Sequence, residues 1–151
     1  MPKRTGRFSD YGLPAGSKAH GASALSGKNQ GEEKTMKVYR PGMACTGLAP
    51  AGVLKEWNAV SVGPEPADFI RVDVERPEEN CSVGVWSVDV GEFDLTYGST
   101  EFVTLLRGRL VISQAGEHHE LGPGDAFFTC KGETVRWKVL EPVTKAFIAL
   151  D

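Results

Sequence analysis

The sequence has no long apolar run and few residues of the types that form disulfides or metal sites. Among its 151 residues, no stretch approaches the roughly 18–20 consecutive apolar residues of a membrane-spanning helix. The first residues lack the apolar middle region of a secretory signal. The three cysteines stand far apart without a C-x-x-C pair, which argues against a disulfide framework and a thiolate zinc site. We therefore expect a cytoplasmic protein that has no membrane partner.

The distribution of charge divides the chain into two parts. Residues 1–35 carry a net charge of +3 and residues 36–151 a net charge of −6, for a total of −3 that gives no reason to expect nucleic acid as a partner. The first part is rich in Gly, Ser, Ala and Lys, and its apolar residues follow neither helical nor strand spacing. Such a segment buries too little apolar surface to offset its ordering entropy. We predict a disordered basic tail over 1–35 and one folded domain over 36–151.

After Met36 the sequence alternates between apolar and polar residues, as strands do, and shows no apolar stripe of a long helix. Gly108, inside the longest of these segments, predicts a bulge or bend. Short strands separated by Gly and Pro turns predict an all-β sandwich or closed barrel. The predicted strands cover 69–74, 81–90, 92–97, 101–113, 118–121, 126–131, 134–140 and 144–151.

A set of motifs spreads over residues 84–145. In order, they are Gly84-x-Trp86, Gly91, Tyr97, Glu101-Phe102, Leu106-x-Gly108, Gly124-Asp125-Ala126-Phe127, Gly132, Trp137 and Glu141-Pro142-Val143-x-Lys145. Together they resemble the cupins, and among them the small single-domain family related to the cupin domain of ureidoglycine aminohydrolase. The resemblance implies an RmlC-like double-stranded β-helix, a jelly-roll barrel of two antiparallel sheets with a pocket at one end. It also implies a homodimer, since such barrels often pair.

The resemblance also implies where a metal would be bound. Metal-binding cupins hold the metal through two histidines and a glutamate from the first of two cupin motifs, which includes Glu101 and Gly108 here. A third histidine comes from the second motif, near Gly132. Glu101 precedes Gly108 by the seven residues that this pattern requires, but the other three positions hold Leu95, Tyr97 and Val135. We therefore expect no standard three-histidine metal site and no cofactor, with a divalent metal as the alternative.

His118 and His119 are the two histidines of the predicted domain, and they are adjacent. Neighbouring strand residues point to opposite faces, so at most one of them points inward. His119 shares its face with Leu121 and is the better candidate for the inward position. We interpret the pair as a structural or solvated feature of a hairpin.

The resemblance points Glu101 into the pocket, where burial would oppose its ionisation. There it could act as a general acid or base, or anchor a polar ligand; the alternative is a carboxylate satisfied by Tyr97 or by a backbone donor, without chemistry. We expect Tyr97, Trp86 and Trp137 to contact the same ligand, with core packing as the alternative for the tryptophans. Lys145 is predicted to be a surface or dimer-contact residue.

Three functions remain open at this stage. The first is binding of a small polar metabolite in the barrel without a standard metal site. The second is a metal-dependent enzyme resembling ureidoglycine aminohydrolase, acting on a small nitrogenous metabolite. The third is a non-catalytic, dimeric structural or regulatory protein. Because one fold supports many activities, the resemblance alone does not decide among them.

Overall fold

The computed structural model describes residues 36–52 and 54–151. The predicted tail over 1–35 lies outside the described residues, so its disorder stays a prediction. The described part holds nine strands, and none of its helices is long and apolar enough to cross a membrane. Two short 3-10 helices occupy Leu54–Trp57 and Pro77–Glu79. The strands are β1 (Ala49–Pro50), β2 (Ala59–Ser61), β3 (Asp68–Arg76), β4 (Cys81–Val88), β5 (Gly91–Thr96), β6 (Thr100–Gln114), β7 (Glu117–Leu121), β8 (Ala126–Thr129) and β9 (Thr134–Leu150).

The two longest strands, β6 and β9, each run through two antiparallel layers. The first half of β6 pairs with β8 and with the second half of β9, which continues into β4, β3 and β1. The second half of β6 pairs with β7 and with the first half of β9, which continues into β5 and β2. We call these the first and the second layer. Two antiparallel layers that share strands form a jelly-roll barrel, which confirms the predicted all-β fold.

Both shared strands change layer at one close contact. Gly108 has a φ of +86°, and the register between β6 and β9 shifts around it. A Cβ atom at Gly108 would lie 2.2 Å from the carbonyl oxygen of Pro142, so the approach of the two backbones requires glycine. The predicted bend at Gly108 is therefore confirmed.

The separate strands predicted over 134–140 and 144–151 are wrong, because β9 continues through the Glu141-Pro142 pair. Proline lacks a backbone N–H and normally interrupts a strand ladder. Here Pro142 lies between the register pairs Arg109–Glu141 and Arg107–Thr144, at the shift itself. A donor is not needed where the ladder changes layer, so the strand passes through the proline without ending.

The core between the layers is built largely from alternate, inward-facing side chains. Its centre is aromatic: Trp137 stacks on Phe93 with ring centroids 5.9 Å apart, and Trp86 meets Trp137 edge to face at 5.7 Å. Such pairs add to the stabilisation from apolar burial. The other buried side chains around them include Val88, Val103, Leu105, Leu110, Val135, Val139 and Val143.

Residues 36–48 pack against the first layer and are held there by polar contacts. The Tyr39 hydroxyl donates a hydrogen bond to Asp73 at 2.7 Å, and Arg71 donates to the Thr46 carbonyl at 2.5 Å. Arg71 also pairs with Asp73 at 2.6 Å, and this guanidinium holds the pKa of the Asp73 carboxyl below its usual range. Desolvation, with the same carboxylate next to it, raises the pKa of Tyr39. The segment is thus tied to β3 by a charged network.

Candidate functional site

A cavity of about 120 Å³ opens inside the barrel. Aromatic and aliphatic side chains from the first 3-10 helix and from β3, β4, β5 and β9 form most of its wall. Its size is of the order of the ~150 Å³ engineered cavity that admits benzene, so it has room for a small organic molecule. The polar side chains that reach it are Glu75, Ser82, Tyr97, Glu101 and Lys145.

A buried ion pair lies in the wall of this cavity. The Nζ atom of Lys145 on β9 donates a hydrogen bond to Oε2 of Glu101 on β6 at 3.0 Å. The two side chains are 5% and 12% exposed, respectively. Glu101 therefore points inward as predicted, and the Lys145 ammonium is a partner of its carboxylate that was not expected. The prediction of Lys145 as a surface or dimer-contact residue is wrong.

The position of Lys145 follows from the alternation along β9. Lys145 shares its face with Phe147 and Ala149, which also line the cavity. The opposite face carries Ala146, Ile148 and Leu150 and is equally apolar. Because both faces of this segment read as apolar, its pattern did not show which one the lysine shares with the interior. The shared parity with Phe147 places the lysine only once the structure shows that Phe147 faces the cavity.

Four aromatic rings surround the Lys145 ammonium, and we call them the aromatic cage. The distances from Nζ to the ring centroids are 5.1 Å for Trp86, 5.3 Å for Trp137, 5.6 Å for Phe147 and 5.9 Å for Tyr97. A cation within about 6 Å of a ring face is attracted by the ring quadrupole. The cage therefore attracts the ammonium group and offsets part of the cost of its burial.

Asp68 fixes the orientation of one wall of the cage. The Trp86 indole Nε1 donates a hydrogen bond to Oδ2 of Asp68 at 2.9 Å, and Asp68 is 2% exposed. Desolvation by burial raises the pKa of the Asp68 carboxyl, while the indole hydrogen bond opposes this shift. Asp68 was not predicted as a site residue, although it shares its strand face with Ile70 and Val72, which line the cavity.

The structure brings together three of the four residues predicted to contact a ligand. Trp86, Tyr97 and Glu101 line the cavity. Trp137 is fully buried and lies behind them, where it stacks on Phe93 and presents its ring to the Lys145 ammonium. The contact of these four residues with a ligand stays a prediction.

The two histidines of the domain lie away from the cavity, on β7. His118 Nδ1 is 2.6 Å from the Ser113 hydroxyl, and His119 is 62% exposed with Glu117 at 3.6 Å. His119, the better candidate for the inward position, does pair with the core residue Ile112, but its end of β7 is open to solvent and its side chain stays exposed. The interpretation of the pair as a solvated hairpin feature agrees with these positions.

The residues around Glu101 do not fit a divalent metal ion. Leu95 and Tyr97 line the cavity beside Glu101, at the two positions where the cupin pattern places histidines. Residues 36–52 and 54–151 contain no group of three His, Cys, Asp or Glu side chains that could hold a metal. The Lys145 ammonium, 3.0 Å from the carboxylate, also stands where a cation would have to approach.

Comparison with known proteins agrees with this architecture. A family model described as EutQ-like cupin domain matches residues 75–147, slightly less than half of the chain. The chain has a cupin fold. A search of curated proteins found no match to this cupin.

Solved structures show the same fold at low sequence identity. One is a protein of unknown function of the DUF861 family from Pseudomonas syringae pv. tomato, with a TM-score of 0.61 and 22% identity over 68% of this chain and 43% of that one. Another is the EutQ protein of Clostridium difficile, with a TM-score of 0.50 and 19% identity over 58% of this chain and 71% of that one. At these identities the likeness concerns the fold alone.

Proposed function

We propose that this cupin binds a small polar metabolite in its cavity, through Glu101 and Lys145. The observation that carries the proposal is the buried ion pair in an otherwise mainly apolar wall. Ligand pockets typically combine apolar and aromatic walls with a few polar groups that fix the orientation of the ligand. The aromatic cage and the ion pair together have this composition.

The ion pair has hydrogen-bonding capacity beyond its own contact. An ammonium has three donors and a carboxylate accepts through two oxygens, whereas a single hydrogen bond joins Nζ to Oε2. A buried ion pair adds little to stability on average, because the desolvation of both charges offsets their attraction. The small contribution of the pair to stability does not account for these remaining donors and acceptors. Hydrogen bonds to a ligand do.

Charge and size narrow the ligand class. Among the described residues that line the cavity, Glu75, Glu101 and Lys145 carry a formal charge at neutral pH, and these charges sum to −1. This balance favours a neutral or cationic molecule over an anion. The volume of about 120 Å³ favours a molecule about the size of a substituted benzene ring or a short aliphatic chain.

A metal-dependent aminohydrolase is the enzyme that the sequence resemblance implies, and this second function has less support. Its reaction would need metal ligands at positions that carry Leu95, Tyr97 and Val135. Metal analysis of protein purified without a histidine tag separates the two functions. A stoichiometric divalent metal that is lost in Glu101→Gln would contradict our proposal and favour the aminohydrolase.

A thermal-shift screen with small amines, ureido compounds, alcohols and carboxylates tests ligand binding directly. A ligand at 100 times its dissociation constant stabilises the folded state by about 2.7 kcal/mol. Ala149→Leu places a larger side chain in the cavity wall and should abolish the shift, whereas Leu150→Gln, on the outer face of the same strand, should preserve it. If no compound raises the melting temperature, or if Ala149→Leu responds like the parent, the cavity is not the binding site.

A further inference from the structure

We propose that Lys145 forms a reversible imine with a small aldehyde or ketone in the cavity, with Glu101 as its proton relay. This inference rests on the proposed function, because it names the chemical class of the ligand and the atom that it reaches. A lysine amine in an apolar pocket is one of the nucleophiles by which proteins attack carbonyl compounds. The structure places Nζ of Lys145 in the cavity wall, next to a group that can take and return protons.

The first requirement is a neutral amine, and the ion pair can supply it. Nζ of Lys145 donates along a 3.0 Å hydrogen bond to Oε2 of Glu101. A proton that moves along this bond leaves a neutral amine on Lys145 and a neutral carboxyl group on Glu101, which are the two forms that the addition step uses. No other residue is needed to deprotonate the amine.

The covalent steps balance within the pair. The lone pair of the neutral amine attacks the carbonyl carbon while the C=O π electrons move to oxygen, which takes the proton held by Glu101. The nitrogen, now positively charged, returns a proton to Glu101, and a carbinolamine results. Glu101 then protonates the carbinolamine hydroxyl, which leaves as water as the nitrogen lone pair forms C=N. One ammonium and one carbonyl compound thus become one protonated imine and one water, and Glu101 is again a carboxylate.

The aromatic cage suits both ends of this reaction. Ring centroids of Trp86, Trp137, Phe147 and Tyr97 lie 5.1–5.9 Å from Nζ. The positive charge stays on this nitrogen when the ammonium becomes a protonated imine, so the same faces attract the product.

The cavity selects among carbonyl compounds. With Glu75 and Glu101 against Lys145, its charges disfavour a keto acid, whose carboxylate would lie among apolar walls. Its volume of about 120 Å³ and its aromatic lining favour a neutral aldehyde or methyl ketone of the size of benzaldehyde or butanal. Pyruvate therefore serves as the anionic comparator.

Reductive trapping tests the proposal. The full-length protein is incubated with benzaldehyde or butanal and cyanoborohydride, and the site of alkylation is mapped by peptide mass spectrometry. Lys138 lies exposed on the same strand and serves as the matched lysine. We expect one adduct at Lys145 that forms well before any at Lys138, that disappears in Lys145→Arg and persists in Lys138→Arg, and that pyruvate forms more slowly.

Glu101→Gln tests the relay without removing the nucleophile. Loss of general acid–base assistance should slow adduct formation by about 10²-fold or more. Circular dichroism shows whether the variant is folded. If it is unfolded, the distribution of the label among the lysines of the parent protein decides the question alone. A label spread over exposed lysines, with Lys145 no faster than Lys138, would overturn the imine.

An unreactive analogue separates this inference from the proposed function. Benzyl alcohol and butanol have the size of the aldehydes but form no imine. Stabilisation by an alcohol without an adduct from the aldehyde would refute the imine and leave ligand binding in place. If neither alcohol stabilises the protein and neither aldehyde forms an adduct, both the imine and the proposed ligand binding are refuted.

Discussion

Removal of the Lys145 ammonium should destabilise the fold far more than the loss of one surface charge. Lys145→Met leaves the Glu101 carboxylate, 12% exposed, without its cation. Breaking a buried pair by removing one partner costs about 3–5 kcal/mol, because an uncompensated charge stays in the interior. An exposed pair contributes only about 0–1 kcal/mol.

A double-mutant cycle with Glu101→Leu isolates the interaction. Lys145→Met/Glu101→Leu replaces both charges by apolar side chains in a mainly apolar wall, a change that is often neutral or stabilising by about 1–4 kcal/mol. We therefore expect the double variant to be more stable than either single variant. The coupling free energy between the two sites should reach about 3 kcal/mol, the upper end of the range for residues in direct contact.

Urea denaturation followed by circular dichroism measures these differences. With a slope of about 2 kcal/mol per molar urea, a loss of about 4 kcal/mol lowers the midpoint by about 2 M. Lys138→Met, at an exposed position of the same strand, controls for the substitution itself and should change the stability by less than about 0.5 kcal/mol. A single Lys145→Met variant within about 1 kcal/mol of the parent would refute our description of the pair as buried and coupled.

Three further predictions concern the surroundings of the site. Burial raises the pKa of the Asp68 carboxyl in the folded state. The contribution of this carboxyl to stability is therefore full below its unfolded pKa near 3.8, and it is lost as the pH rises through the higher folded pKa. Asp68→Asn should therefore raise the melting temperature relative to the parent at pH 8 and by much less at pH 4; the opposite pH trend in calorimetry would contradict this. Gly108→Ala should lower the free energy of unfolding, measured by urea denaturation, by more than about 2 kcal/mol, because the new Cβ would meet both a positive φ and the Pro142 carbonyl. Gly116→Ala has a similar φ but open space around the Cβ, and it should lower the free energy of unfolding by about 1 kcal/mol. Tyr39→Phe removes one donor to Asp73 and should cost about 0.5–1.5 kcal/mol, with faster amide exchange over 36–48 and unchanged ligand binding; unchanged exchange there would contradict the role given to this contact.

The fold could be predicted from the sequence because its signals are local and repeated. Alternating strands, glycine turns and the bend at Gly108 each depend on a few neighbouring residues, and they agree with one another. The continuity of β9 through Pro142 could not be predicted in this way. Whether a proline ends a strand depends on whether its missing donor is needed, and that is decided by the register with β6.

The candidate site was predicted only in part, for a similar reason. Glu101, Tyr97 and Trp86 follow motif positions and line the cavity. Lys145 belongs to the last motif, but its partner lies 44 residues away in the chain, and pairing over such a distance leaves no local pattern. Asp68 was overlooked because an acidic residue at a strand start reads as a solvated turn residue until its contact with Trp86 is known.

The sharing of β6 and β9 by both layers has a consequence for how the molecule comes apart. Glu101 and Lys145 each stand on one of these strands, in the half that belongs to the first layer. Neither strand can separate from its neighbours without breaking backbone hydrogen bonds in both layers of the barrel. Local unfolding near the ion pair is therefore suppressed. Backbone amides next to the two residues should exchange with solvent only when the whole domain unfolds. The ion pair should likewise become exposed to water only on global unfolding.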